Sequence, residues 1–182
     1  MPRLLLHVCC GPCLIAPLSL LRSEAEWETT GFWFNPNIHP YTEYRRRLDT
    51  LIRFALDEDL PLILRDEYAL ESFLAAVSAQ PDARCGYCYT IRLQAAAERA
   101  KAGGFDAFSS TLLYSRYQKH DEIRRIGEEI GQNVGIPFHY RDFRTLWDEG
   151  VRLAKAREMY RQPYCGCIYS EKDRYCKEKK IG

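Results

Sequence analysis

Eight of the 182 residues are cysteines, and seven of them fall into three short segments. Cys9, Cys10 and Cys13 surround Gly11-Pro12 after an apolar run; Cys85 and Cys88 bracket Gly86-Tyr87; Cys165 and Cys167 flank Gly166. Cys176 stands apart. Thiols drawn from three distant segments require a fold that returns the chain to one assembled redox or metal centre. Small buried hydrophobes that happen to be cysteine are a poor account of such spacing.

The compartment sharpens this. The opening residues carry one arginine and only a short apolar run before Gly11, short of a signal peptide. No later stretch is long and apolar enough to span a bilayer. A cytosolic protein without a membrane partner is expected, and there metal binding or thiol redox work outweighs structural disulfides. A formal charge of +1 argues against a strongly basic nucleic-acid binder taken as a whole. From Arg141 to Gly182, however, eleven Lys/Arg face seven Asp/Glu. Such an end either meets phosphate or is a solvated face.

Hydrophobic patterning predicts an α/β architecture. Leu4 to Val8 reads as a buried strand ending at Cys9, Gly11-Pro12 as a turn, and Cys13 to Leu21 as a helix. Thr30 to Phe34 is a second strand, closed by Asn35-Pro36-Asn37. A helix from Pro40 or Tyr41 carries Leu48, Leu51, Ile52 and Ala55 on one face. Pro61 to Leu64 and Phe105 to Phe108 are strand candidates, the latter followed by a polar Ser109-Ser110-Thr111 turn. Phe138-His139-Tyr140 is the last. Helices are expected at Ala69 to Ser78, from Cys85 to Ala100, at Asp121 to Val134 and at Asp148 to Tyr160. A short helix follows the Cys165 turn. Strands alternating with helices predict a mostly parallel sheet with crossovers, in a single domain spanning 1–182. In such sheets ligands gather beyond the carboxyl ends of the strands. Cys9-Cys10, Asn35 to Asn37 and Ser109 to Thr111 all fall there.

Cysteines two residues apart can face one ion, and Cys85-Gly86-Tyr87-Cys88 has that spacing at a helix start beside Arg84 and Arg92. Cys9, Cys10 and Cys13 can add two or three ligands. An iron–sulfur cluster, a structural zinc and a dithiol/disulfide pair all satisfy this pattern. Cys165-Gly166-Cys167 is tight for two ligands of one tetrahedral ion, but suits either a strained, labile disulfide or ligands to separate metals. Cys13 is left as a partner for that pair or a ligand to a second ion. Among polar residues, His7 alternates with apolar neighbours and reads as a core histidine. Asn35 and Asn37 cap turns or touch substrate, and Tyr41, Tyr44 and Arg45 could line the same mouth. Arg45-Arg46-Arg47 reads as the wet face of a helix, with phosphate contact as the alternative. Thr111, Tyr114, Gln118 and His120 form a further polar group. No phosphate-cradling glycine motif is present.

Taken in order, these segments resemble the epoxyqueuosine reductases of the QueH type. The matching pieces are Leu5 to Cys13, Phe34 to Pro40, Glu43-Tyr44-Arg45, Arg84 to Cys88, Ser110 to Leu113 and the specific block Met159 to Glu171. They span nearly the entire chain. The resemblance implies an α/β fold related to nucleotide-alpha-hydrolase and PP-loop proteins, with a cysteine-bearing C-terminal helical segment. It implies reduction of epoxyqueuosine at the tRNA wobble position to queuosine, by an oxidoreductase using a [4Fe-4S] cluster and an additional iron.

Carried over residue by residue, the resemblance places the cluster on Cys9, Cys10, Cys85 and Cys88. Cys13 falls at the second metal, and Cys165 with Cys167 forms a redox-active disulfide pair. The partners it implies are epoxyqueuosine-containing tRNA and an external electron donor. Asn35, Asn37, Tyr41, Tyr44, Arg45 and Thr111 are the substrate candidates. Arg45 to Arg47 and Lys177, Lys179 and Lys180 are candidate phosphate contacts. The competing class is a zinc-stabilised RNA-binding module without catalysis.

Overall fold

A computed structural model describes residues 1–176 of the chain; Lys177, Lys179 and Lys180 lie outside the described residues. Four parallel strands form one sheet in the order β3-β2-β1-β4: β1 (Arg3–His7), β2 (Glu28–Trp33), β3 (Leu62–Leu64) and β4 (Ala107–Ser110). Among the described residues seven α-helices accompany them: α1 (Gly11–Glu24), α2 (Tyr41–Asp57), α3 (Leu70–Val77), α4 (Arg84–Ala102), α5 (His120–Val134), α6 (Trp147–Ala156) and α7 (Ile168–Tyr175). The mostly parallel α/β expectation is met. No described helix is long and apolar enough to cross a membrane.

The sheet core follows from β1. Leu4, Leu5, Leu6 and Val8 are all fully buried, as befits a strand covered on both faces. The helices form two packed groups: α1 with α2 and α6, and α4 with α5 and against β1 and β4. In β2, Trp33 is buried without an orphan donor, because its indole N–H gives to the Tyr44 hydroxyl at 3.1 Å.

Four local readings change. Gly11-Pro12 is the start of α1 rather than a turn before it, with Pro12 in the first helical positions where its missing N–H costs nothing. The expected Ser109-Ser110 turn is the buried end of β4. Its polarity is tolerated partly because Ser110 Oγ lies 2.9 Å from His7 Nδ1 and accepts the Leu112 N–H at 3.1 Å. Phe138-His139-Tyr140 forms one parallel bridge, Phe138 to Phe108, and no strand. Pro137 has no N–H to extend the ladder, and the Tyr140 hydroxyl pairs with His120 Nε2 at 3.0 Å. The helix expected from Asp148 to Tyr160 ends at Ala156, and Met159 to Cys167 runs back irregularly across the mouth of the sheet.

Close approach at the end of α5 fixes how the chain turns toward the Phe138 bridge. Gly135 ends the helix at φ +78°, a left-handed position suited to glycine. At Gly131 an added Cβ would lie 2.8 Å from the Ile136 carbonyl and 3.2 Å from the Phe138 nitrogen. Backbone cannot yield as a side chain can. Gly131→Ala is therefore expected to destabilise the protein by about 1–3 kcal/mol, read as a lower urea midpoint at unchanged slope.

Candidate metal centre

In the order β3-β2-β1-β4, connections diverge between β1 and β4, and a crevice opens at the carboxyl ends of that pair. Cys9 and Cys10 leave β1 on one side of it; Thr111 leaves β4 on the other. The two sides are stitched together. Cys9 N–H donates to Thr111 Oγ1 at 3.1 Å, and the Thr111 hydroxyl lies 3.4 Å from Cys9 Sγ. Cys10 is the N-cap of α1 with no side-chain cap bond, and Cys13 sits in the first turn, so the electropositive end of the helix lies beside these thiols.

The Cys9, Cys10 and Cys13 sulfurs all lie within 4.8 Å of one another. Ligands of a single tetrahedral ion with metal–sulfur bonds of about 2.3 Å stand about 3.8 Å apart, so the trio fits metal binding. Their protons are coupled. Hydrogen bonds from Cys10 and Cys13 draw the Cys9 thiol well below its usual range, with Thr111 and Arg92 assisting against burial. Burial pushes Cys10 up, and hydrogen bonding to Cys10 does the same to Cys13. Of the three, Cys9 is the thiol whose surroundings favour the thiolate. Gln162 adds an amide donor, its Nε2 lying 3.1 Å from Cys10 Sγ and 3.5 Å from Cys13 Sγ. Gly11 lets this segment pass, since a Cβ there would meet Met159 Cε at 2.9 Å.

A second thiol group forms where α4 begins. Cys85 and Cys88 lie in its first turn, and the Cys165–Cys167 segment packs against them. Burial first, then the neighbouring thiols among them, raises both Cys85 and Cys88, the latter to about 12. Cys165 is exposed and Cys167 buried, and all eight cysteines are free thiols in this structure. Gln118 Nε2 donates to Cys165 Sγ at 3.2 Å. Cys176 is exposed at the end of α7.

Two buried guanidinium groups lie beside the thiols. Arg47 pairs with Glu43 at 2.6 Å and donates to the carbonyls of Cys165 (2.7 Å) and Tyr164 (3.0 Å). It is 2 % exposed, so the wet-face reading of Arg45 to Arg47 is corrected at Arg47. Its long stem crosses the helix and its head is spent on the C-terminal segment. Arg92 is 4 % exposed and, among the described residues, has no carboxylate partner. It donates to the Cys88 carbonyl at 3.0 Å and contacts Asn35 Oδ1 at 3.3 Å. A buried cation without a carboxylate needs negative charge nearby, and thiolates are the anions its surroundings offer.

Arg47, Arg92, Cys9, Cys13 and Cys165 all line a cavity of about 720 Å³. The other named candidates sit elsewhere. Asn35 is buried, with its amide donating to the Val8 carbonyl at 2.9 Å, and Asn37 is buried too. Tyr44 is buried, its hydroxyl donating to Asp66 at 2.7 Å. Tyr41 and Arg45 line a separate groove of about 980 Å³ beside α2, where Arg45 is paired with Asp49 and Asp66 at 2.9 Å each. Sequence reasoning missed Gln162 as a thiol donor and the wall formed by Tyr117 and Trp147. Gln162 lies in the block that carries the resemblance; the aromatic wall has no periodic signal.

The family model described as Epoxyqueuosine reductase QueH matches residues 4–173. The chain is 35% identical to an epoxyqueuosine reductase QueH of Dehalococcoides mccartyi, covering 97% of this chain and 96% of that protein. It is 34% identical to one of Thermotoga maritima, covering 100% and 96%, and 34% identical to one of Acinetobacter baylyi, covering 94% and 81%.

Acid should loosen this centre. His39, fully buried, accepts the Ile168 N–H on Nδ1 at 3.3 Å, so it helps hold the Cys165–Cys167 segment. Burial lowers both His7 and His39 from 6.5 to about 4. The unfolded chain then binds more protons between those values, and stability falls as pH falls from 6.5 toward 4. Urea midpoints across that range should drop for the wild type. They should drop less for His39→Asn, whose side-chain oxygen can accept the Ile168 N–H at any pH.

Proposed function

The chain belongs to the epoxyqueuosine reductase QueH family, and from that premise we propose that it reduces epoxyqueuosine at the tRNA wobble position to queuosine on its thiol-lined cavity. The observation that carries the reading is the Cys9–Cys10–Cys13 trio, gathered at the sheet's crevice with Cys9 and Cys13 lining a cavity of about 720 Å³. We read residues 1–182 as one reductase domain working in the cytoplasm, with an external reductant supplying electrons.

Cys9, Cys10, Cys85 and Cys88 are the proposed ligands of a [4Fe-4S] cluster, and Cys13 belongs to a second iron beside it. The donor chemistry fits such a group: Thr111 and Gln162 direct O–H and N–H groups at the sulfurs, and Arg92 supplies uncompensated positive charge. When bound, the iron centre supplies single electrons and a Lewis acid for the epoxide oxygen. Two electrons and two protons then convert the epoxide to the alkene, and its oxygen leaves as water. Thr111 and Gln162 hold the thiolates in place. Arg92 keeps negative charge stable in a buried setting. Asn35 holds Arg92. Tyr41 and Arg45 contact the tRNA strand farther out. Cys165 and Cys167 pass electrons as a dithiol/disulfide couple, two thiols losing two electrons and two protons as the S–S bond forms.

Anaerobically purified protein should contain iron and acid-labile sulfide, and should convert an epoxyqueuosine-containing tRNA to a product one oxygen lighter by mass spectrometry. Zinc alone with full activity would sink the iron assignment. Cys9→Ser should lose both iron and turnover. Cys165→Ser should keep the iron and lose turnover, whereas unchanged turnover would rule out the dithiol relay.

A further inference from the structure

The mouth of the cavity carries an aromatic cluster that the thiol chemistry does not use. Trp147, the first residue of α6, stacks on Tyr114 with ring centroids 5.2 Å apart and planes at 30°. The Tyr114 hydroxyl donates to the Trp147 carbonyl at 3.1 Å, and Gly150 leaves the space that this hydroxyl occupies. These two rings are locked. Tyr117 meets Trp147 edge-on at 5.5 Å yet is 85% exposed, and among the described residues its hydroxyl makes no hydrogen bond. Its turn is coupled to the centre, because the next residue, Gln118, donates to Cys165 Sγ.

An exposed ring at a cavity mouth needs an occupant, and the charges choose its class. Of the four arginines in the lining, Arg47 and Arg92 are buried at its base, while Arg161 and Arg174 are exposed; the one acidic residue, Asp173, is paired with Arg84. The Arg116 guanidinium, paired with Asp148 at 3.1 Å, lies 5.9 Å from the Trp147 ring. An apolar ligand has no use for those cations, and an acidic peptide has little for the rings. A single-stranded nucleic acid uses both, with phosphates meeting arginine and unstacked bases meeting aromatic faces.

We propose that Tyr117 and Trp147 form a stacking platform for the nucleobase next to the modified nucleoside in the anticodon strand. The inference rests on tRNA being the substrate. The modified nucleoside enters the cavity toward the sulfurs, and the neighbouring base, pulled from its stack, is received at the mouth. Tyr117 contributes a free ring; Trp147 is held in place by Tyr114.

The test uses the iron-loaded enzyme and an epoxyqueuosine-containing anticodon stem-loop carrying 2-aminopurine beside the wobble position. Wild type should quench the 2-aminopurine on binding. Tyr117→Ala should lose the quench and raise KM about tenfold with kcat within about twofold, and Tyr117→Trp should restore both. Wild-type quench and KM in Tyr117→Ala would overturn the platform, even with turnover intact. Quenching by wild type that disappears in Tyr117→Ala, without any product formed by either, would leave the platform standing and remove the reductase reading instead.

Discussion

Arg47 is the joint on which the C-terminal third depends. Its buried guanidinium rises from α2, pairs with Glu43 and takes the carbonyls of Tyr164 and Cys165. Removing one partner of such a buried pair typically costs about 3–5 kcal/mol, because the other charge is left without compensation. Nearby, His39 N–H donates to the Gly166 carbonyl at 2.8 Å, and the Tyr164 hydroxyl donates to the His39 carbonyl. At Gly166 itself an added Cβ would come within 3.4 Å of Ile38 and 3.5 Å of Arg47. The cysteine-bearing turn is thus clamped between α2 and the loop after β2, in ordinary van der Waals contact with both.

The charge arrangement around the cavity is one-sided. Arg47 is matched by Glu43, but Arg92 has no carboxylate partner among the described residues, and burial keeps the adjacent His7 neutral. Sulfur is the only anionic complement within that set. Hydrogen bonding among the three thiols draws Cys9 below its usual range, while Cys10 and Cys13 are raised. A cavity of this kind favours anionic ligation before any ligand arrives, because burial weakens solvent screening of the charges it contains.

Much of the fold could be read from residue patterning. Leu4 to Val8 and the helical face of Leu48, Leu51 and Ala55 announced β1 and α2, since burial on one or both faces leaves a direct periodic trace. At Ser109-Ser110 and at Arg47 the misreading comes from equating polarity with exposure. Ser109 and Ser110 looked like a turn because nothing local reveals that His7 and the Leu112 amide receive Ser110. Arg47 looked solvated for the same reason: its partners lie 117 and 118 residues away. The cysteine spacing pointed to a joint centre but not to its internal grouping. Cys13 stands with Cys9 and Cys10, and Cys165 and Cys167 pack beside Cys85 and Cys88, through tertiary contacts that no spacing encodes.

The return of Met159 to Cys167 across the sheet has a consequence in time as well as space. The trio at residues 9, 10 and 13 leaves the ribosome well before Gln162, which donates to two of its sulfurs and lies 152 residues beyond Cys10. Folding during synthesis proceeds from the N-terminal end. Until Gly11 is covered by Met159, the nascent chain carries three close thiols without their cover, open to oxidation and to adventitious metal. Correct loading of such a centre therefore waits on the synthesis of Met159 to Cys167, and a chain cut before that segment exposes its most reactive atoms without the cover that guards them.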